Sequence, residues 1–263
     1  MSKIINNAIL YIGQFIQTIP MHKEGYDFIK KHQPWKGMER YSWTARVLLI
    51  SAILLGFFLF KDAFYLIKDI FSNEENTQLS LGSFFTDFSF DKIDWALHGT
   101  KKYVILIVLE IFTFHFIQRT LELQMGRKPT FTLKAFIAAE KRMIEASFIA
   151  WIMEVITIAI AKMLVGLVGL GYLLNDPIGL VIQFYFLGFI IIDNYHECFG
   201  LTLKESRKRT NQVAGVAIAI GGVAYLLMFV PLIGVVAATM IGAVTATLAM
   251  QRILPLEEKV EFV

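Results

Sequence analysis

Charge is scarce in these 263 residues: 18% are Asp, Glu, Lys or Arg, against about a quarter in soluble domains. Cysteine is scarcer still, and Cys198 alone excludes an intrachain disulfide framework. No Walker loop, zinc-protease HExxH, serine-nucleophile elbow or Cys/His ligand spacing occurs. No soluble-type active site, metal or cofactor is therefore expected, and the chain does not read as an enzyme. Its basic segments are short and follow apolar runs, so nucleic-acid binding is not indicated. The first residues, "MSKIINNAILYIGQFIQTIP", carry one Lys and interrupt each apolar run with Asn or Gln, which is not the pattern of a signal peptide.

What is present is apolar. Hydrophobic residues make up 56% and aromatics 14%, and the mean hydropathy is +0.58. These values predict an all-α, polytopic integral membrane protein forming a single domain over 1–263. Two stretches, 42–67 and 103–125, are each long enough to cross a hydrocarbon core about 30 Å thick. Between them the 68–101 loop holds Asp69, Glu74, Glu75, Asp87, Asp91 and Asp94. Lys30, Lys31, Lys36, Arg40 and Arg46 precede the first stretch, and Arg119, Arg127, Lys128, Lys134, Lys141 and Arg142 follow the second. The positive-inside bias places both termini in the cytoplasm and the 68–101 loop outside.

Two hairpins are expected next. In 146–193 the breaker residues Asn175, Asp176, Pro177 and Gly179 predict the turn. In 213–250 an apolar stretch is broken at Pro231, within "FVPLIGV", and basic residues flank both ends. Its arms are of marginal length for crossing, and its turn offers water no polar side chain. A tip that stops inside the bilayer or against protein accounts for both. Gly215, Gly221, Gly222, Gly234 and Gly242 suit close helix contact there. In 1–20 the stripe Ile5, Ile9, Ile12, Ile16, Ile19 lies opposite Asn6, Gln14, Gln17 and Thr18, an amphipathic helix lying on the membrane or packed on a partner helix.

Residues 193–250 also carry a resemblance. Asp193, Leu203-Lys204-Glu205, the basic stretch Arg207 to Arg209, Val230-Pro231-Leu232-Ile233 and Ala246-Thr247 follow the order seen in the CysZ family of bacterial sulfate permeases. That family shares its domain with the eukaryotic etoposide-induced autophagy membrane protein. More weakly, "HQPWKGMERYSWTARVLL" and "LELQMGRKPT" resemble the family's approach to the first membrane helix and the end of the second. Trp35, Gln124 and Gly234 stand where the family has Gly, Arg and usually Asn. The resemblance implies two full transmembrane helices, two hemi-penetrating hairpins, a bacterial inner-membrane location, a homo-oligomer or partner membrane subunits, and permeation of sulfate or a related anion. The alternative is a non-transporting scaffold or subunit of a larger membrane complex.

Ionisable residues in apolar segments cost at least ~2.5 kcal/mol on insertion scales, so each should have a partner or a path. Counting from the cytoplasmic ends puts Glu110 and Lys162 at similar depths of about 20 Å, and His115 and Glu154 at about 10–12 Å. The pairs Glu110–Lys162 and His115–Glu154 are expected either to fix helix register or to form a polar track. Lys36, Arg40, Arg119, Arg127 and Arg142, with Glu122, are candidates for an anion-binding mouth. The positive-inside rule and headgroup attraction account for the same charges without a substrate. His196, Glu197 and Cys198 read as a helix-end cluster rather than as one metal's ligands, because helix neighbours point apart.

Overall fold

The computed structural model describes residues 2–36, 100–126, 133–228, 230 and 233–256, without the side chains of 2–4, 100–106, 108–111, 133–140 and 172. The predicted 42–67 span, all but the last two residues of the 68–101 loop, Arg40, Arg127 and Pro231 lie outside the described residues.

The described chain is all-helical: α1 (Ser2–Thr18), α2 (Met21–His32), α3 (Thr100–Met125), α4 (Leu133–Leu167), α5 (Gly171–Glu197), α6 (Leu203–Gln212), α7 (Ala214–Met228) and α8 (Gly234–Ile253). Three segments are long and apolar enough to cross a membrane: Lys141–Leu167, Leu173–Glu197 and Gly234–Ile253. α3 has 26 residues, about 39 Å at helical rise.

α5 is the axis. It packs against α3, α4, α6, α7 and α8, and Leu187 and Phe189–Ile192 are almost completely enclosed. α4 lies outside it as an antiparallel neighbour, with only 11% of its apolar window buried. Phe148, Val155, Ile160, Met163 and Leu164 face outward, and the inner face runs Met143, Ala146, Ala150, Glu154. That spacing of three to four residues is one helical stripe.

The first hairpin does not turn at Asn175–Gly179. α4 ends at Leu167, and Gly169 takes φ +77. The Gly169 N–H donates to Gly166 O and the Leu170 N–H to Val165 O. These are the two bonds of a Schellman ending, which a glycine in the left-handed region permits. Pro177 sits inside α5 instead. It removes one backbone donor in the second turn of the helix, and the packing of α4 on α5 carries the helix past it.

Within the predicted second hairpin α7 and α8 pack together, with unequal arms, and the Pro231 turn lies outside the described residues. α7 has 15 residues and α8 has 20, about 22 and 30 Å. Gly221, Gly234 and Gly242 make close contacts as predicted, and Gly188, which was not among the predicted glycines, makes another. A Cβ on Gly188 would overlap the Ala217 carbonyl, and one on Gly221 would overlap the Phe184 carbonyl. These two contacts set α5 and α7 antiparallel at backbone distance. Gly242 lies under Ile191 Cδ1, 3.1 Å from an added Cβ. At the tip, a Cβ on Gly234 would overlap the Leu227 carbonyl, while Leu226, Val230 and Ile233 are exposed.

α6 and α7 meet at a 96° bend. Such a corner leaves the last carbonyls of one helix and the first N–H groups of the next without helical partners. α1 fills this gap from outside: Gln14 Nε2 donates to Gln212 O at 3.0 Å, and the Gly215 N–H donates to Gln14 Oε1 at 3.3 Å. Gln14 and Thr18 are buried, whereas the isoleucines of the stripe are exposed. The expected single polar face of α1 is therefore divided, with Gln14 and Thr18 against protein and Asn6 and Gln17 exposed.

α2 packs on α8, Gly25 against Thr245, whose Oγ1 is 2.6 Å from an added Cβ. Arg252 donates to both carboxylate oxygens of Glu24 at 3.2 and 2.7 Å. That pair holds the Glu24 carboxyl below the usual carboxylate range, the hydrogen bond being the main cause and burial a small opposition. A lowered folded-state value contributes stability above the unfolded value and loses it as pH falls through the folded one. Both side chains are about half exposed, so the contribution is small, under about 1 kcal/mol.

Two outcomes follow. Gly188→Ala and Gly221→Ala force the α5 and α7 backbones apart, and each should lower stability by about 3 kcal/mol or more, read as the thermal midpoint in detergent. Gly13→Ala, with nothing within 4 Å, should not lower that midpoint and should raise it slightly, since Ala replaces Gly inside a helix at a gain of about 0.5–1 kcal/mol. Acidification from neutral pH through the carboxylate range should speed amide exchange in α2, and Glu24→Gln should flatten that dependence.

Candidate functional site

A group of buried polar side chains, Asp193, Asn194, His196 and Ser206 among them, lies at the end of α5. Asp193 lies one turn before Glu197, so both carboxylates project toward α4. Arg142 meets them there. Its Nε and Nη2 donate to Asp193 Oδ2 and Oδ1 at 3.1 and 2.9 Å, a two-point fork, and its Nε lies 3.6 Å from Glu197 Oε2. A third bond runs from Nη1 to the Leu201 carbonyl.

The end of α5 is itself well terminated. Gly200 takes φ +70, the Gly200 N–H donates to Glu197 O, and the Leu201 N–H to His196 O, a second Schellman ending. Thr202 then opens α6 with a capping box: its N–H donates to Glu205 Oε2 at 2.8 Å, and the Glu205 N–H to Thr202 Oγ1 at 3.4 Å. Ser206 on the buried face of α6 meets His196 Nδ1 at 2.9 Å. His196 and Glu197 thus serve different partners, and Cys198 is buried. Among the described residues no group of three or more His, Cys, Asp or Glu is placed to hold a metal ion.

The predicted anion candidates are distributed as follows. Arg142 is engaged by two carboxylates and a carbonyl. Arg119 on α3 is engaged by Glu122, Nη1 to Oε2 at 2.5 Å. Lys36 is exposed, just beyond α2, in a segment held by His115, whose Nε2 donates to Pro34 O at 3.0 Å. The carbonyl can only accept, so the proton of that bond is on Nε2.

Of the predicted intramembrane pairs, the Glu110 side chain lies outside the described residues. Lys162 is exposed on α4, its Cε 3.7 Å from a Cβ added at Gly179. Glu154 is buried at the end of the inner face of α4. The α4–α5 contacts Lys162 to Gly179 and Arg142 to Asp193 fix the antiparallel register, and interpolation between them places Glu154 at the level of Phe184 and Tyr185, within about half a helical turn of Gln183. Gln183 is also buried. It was visible in the sequence as a lone amide in "LVIQFYFLGFIII" but was not singled out there.

Arg142 has a specific thermal signature. Arg142→Leu leaves Asp193 buried without its cation, which should cost about 3–5 kcal/mol. Arg142→Lys keeps the charge and loses the fork, so it should fall between. The double variant Arg142→Leu/Asp193→Leu should recover much of the loss. Unfolding midpoints of these variants, the Asp193→Leu single variant and the unaltered protein in one detergent check this, and a double-variant loss equal to the sum of the two single Leu losses would show that the pair is not coupled.

No family model, curated protein or solved structure matches the chain.

Proposed function

We propose that the chain is an inner-membrane permease or channel for sulfate or a similar oxyanion, of the kind the CysZ resemblance implies. In this reading the termini and the 126–132 and 198–213 segments face the cytoplasm, α3 crosses the membrane, and α4 and α5 form a hairpin long enough to cross. The carrying observation is the last hairpin. α7 has 15 residues, about 22 Å, and is too short for a core of about 30 Å. Its turn, beginning after Met228, then lies at membrane depth. Irregular backbone is tolerated there only where protein covers it or a water-filled path runs beside it. Broken or half-length helices of this kind form the substrate sites of many transporters.

The second reading, a non-transporting scaffold or subunit, is favoured by a different observation. Arg119 and Arg142 both have carboxylate partners, so neither offers a free guanidinium to an anion. The bare apolar face of α4 would then be where a membrane partner packs.

Radiolabelled sulfate uptake into proteoliposomes separates the two. The permease reading expects flux above protein-free vesicles, competed by selenate. It also expects Gly234→Val, which displaces the tip from the Leu227 carbonyl, to reduce flux at least about tenfold, the effect expected of a misplaced site. No flux, together with stoichiometric co-purification of a foreign membrane subunit, would establish the scaffold instead.

A further inference from the structure

α1 has three faces, not two. At about 100° per residue, Tyr11, Gln14, Phe15 and Thr18 fall on one, Ile5, Ile9, Ile12, Ile16 and Ile19 on a second, and Asn6, Gly13 and Gln17, with the exposed Leu10 beside them, on a third, mainly polar one, each about 120° from the next. The first is docked on the bundle: Gln14 and Thr18 are buried, and Tyr11 O lies against Gly215. The isoleucines are 41–64% exposed, and the third face is exposed as well.

A helix in water gains nothing from five uncovered isoleucines, and one enclosed by protein gains nothing from an exposed polar face. Only a helix lying flat in a bilayer surface, with protein on one flank, has a use for all three.

Its position in the bundle agrees. α1 touches the first turn of α7, thirteen residues before Met228, which places it about 20 Å from the hairpin turn. Tyr185 is within electrostatic reach of both Tyr11 and Arg207, so α1 and charged α6 stand at the same end. Lys204, Arg207 and Lys208 of α6 are exposed there. This is where an apolar core gives way to headgroups and water.

We propose that the isoleucine face of α1 inserts into the boundary between the headgroups and acyl chains of the bilayer, and that α1 thereby holds the α6–α7 corner from the lipid surface. Gln14 is the positioning residue. Its amide satisfies one backbone group on each side of the bend, Gln212 O and the Gly215 N–H. Lipid that draws α1 out of register removes both bonds and frees the arm that carries the re-entrant turn. The coupling holds whether or not the chain conducts an anion.

The test uses the full chain in vesicles, with Cys198→Ala so that one introduced thiol carries a fluorophore. Labels at Ile9→Cys and Ile16→Cys should be quenched by acyl-brominated phosphatidylcholine and spared by aqueous iodide. Labels at Asn6→Cys and Gln17→Cys should show the reverse. Iodide quenching at Ile9 equal to that at Asn6 overturns the insertion, and protection from both quenchers overturns it in favour of a covering protein surface.

The coupling is read by amide exchange at Gly215. Gln14→Leu should raise it on the order of tenfold, the effect of losing a buried bond, and Ile9→Glu/Ile16→Glu should raise it likewise with Gln14 intact. Unchanged exchange in the Ile9→Glu/Ile16→Glu variant overturns the coupling.

Discussion

Between α5 and α7 no side chain intervenes at two levels, because Gly188 lies under the Ala217 carbonyl and Gly221 under that of Phe184. In lipid, association of apolar helices gains little from leaving the solvent, so contact distance and packing decide which helices pair. Two glycines one helical register apart on opposite partners fix the crossing and its direction together. α7 is thereby held along the enclosed half of α5, and its position sets where the chain must bend. α6, with its exposed Lys204, Arg207 and Lys208, joins α7 at a 96° corner, and the corner in turn creates the two orphan backbone groups that Gln14 satisfies.

The polar end of α5 depends on the same placement. With α7 and α8 against one side of α5 and α4 against the other, the carboxylates Asp193 and Glu197 have no water to solvate them fully. Arg142 reaches them from α4 and continues to Leu201 O, so one guanidinium joins α4, the last turn of α5 and the loop into α6. The Schellman ending and the capping box then satisfy the backbone of that loop without further side chains from elsewhere. Buried charges arranged this way fix geometry more than they add stability, since the pair had to be desolvated first.

The sequence made some of this legible and hid the rest for identifiable reasons. The last hairpin was readable because Pro231 and Gly234 interrupt an otherwise continuous apolar run, and because small residues at 215, 221, 222 and 242 announce close contacts. The first hairpin was misplaced because Asn175, Asp176 and Pro177 are strong local breakers, and local chemistry lost to tertiary packing. Gly169, in the unremarkable "VGLG", supplied the left-handed residue that the turn needs. Gln14 falls with Asn6, Gln17 and Thr18 on one polar side because amphipathicity separates only apolar from polar positions. It cannot separate a polar group facing water from one facing an unsatisfied backbone. Arg142 was legible as a candidate cation, but its carboxylates are 51 and 55 residues along the chain and reach it only through the α4–α5 register.

That register also constrains how an anion could be held. Arg119 with Glu122 is neutral as a pair, and Arg142 faces two carboxylates, so neither place presents net positive charge to an oxyanion. Lys36 remains as the described member of the candidate set with no ion-pair partner among the described residues, and His115 ties its segment to α3 through Pro34 O. A single ammonium is a compact, strongly hydrated point charge without the planar fork of an arginine. It attracts tetrahedral oxyanions alike and orients none of them. In the permease reading, discrimination among oxyanions therefore falls to backbone N–H groups, which have fixed directions. Such groups become free where helices start or break; at the α6–α7 corner Gln14 already takes the Gly215 N–H, so the start of α8 is the remaining position of this class in the last hairpin.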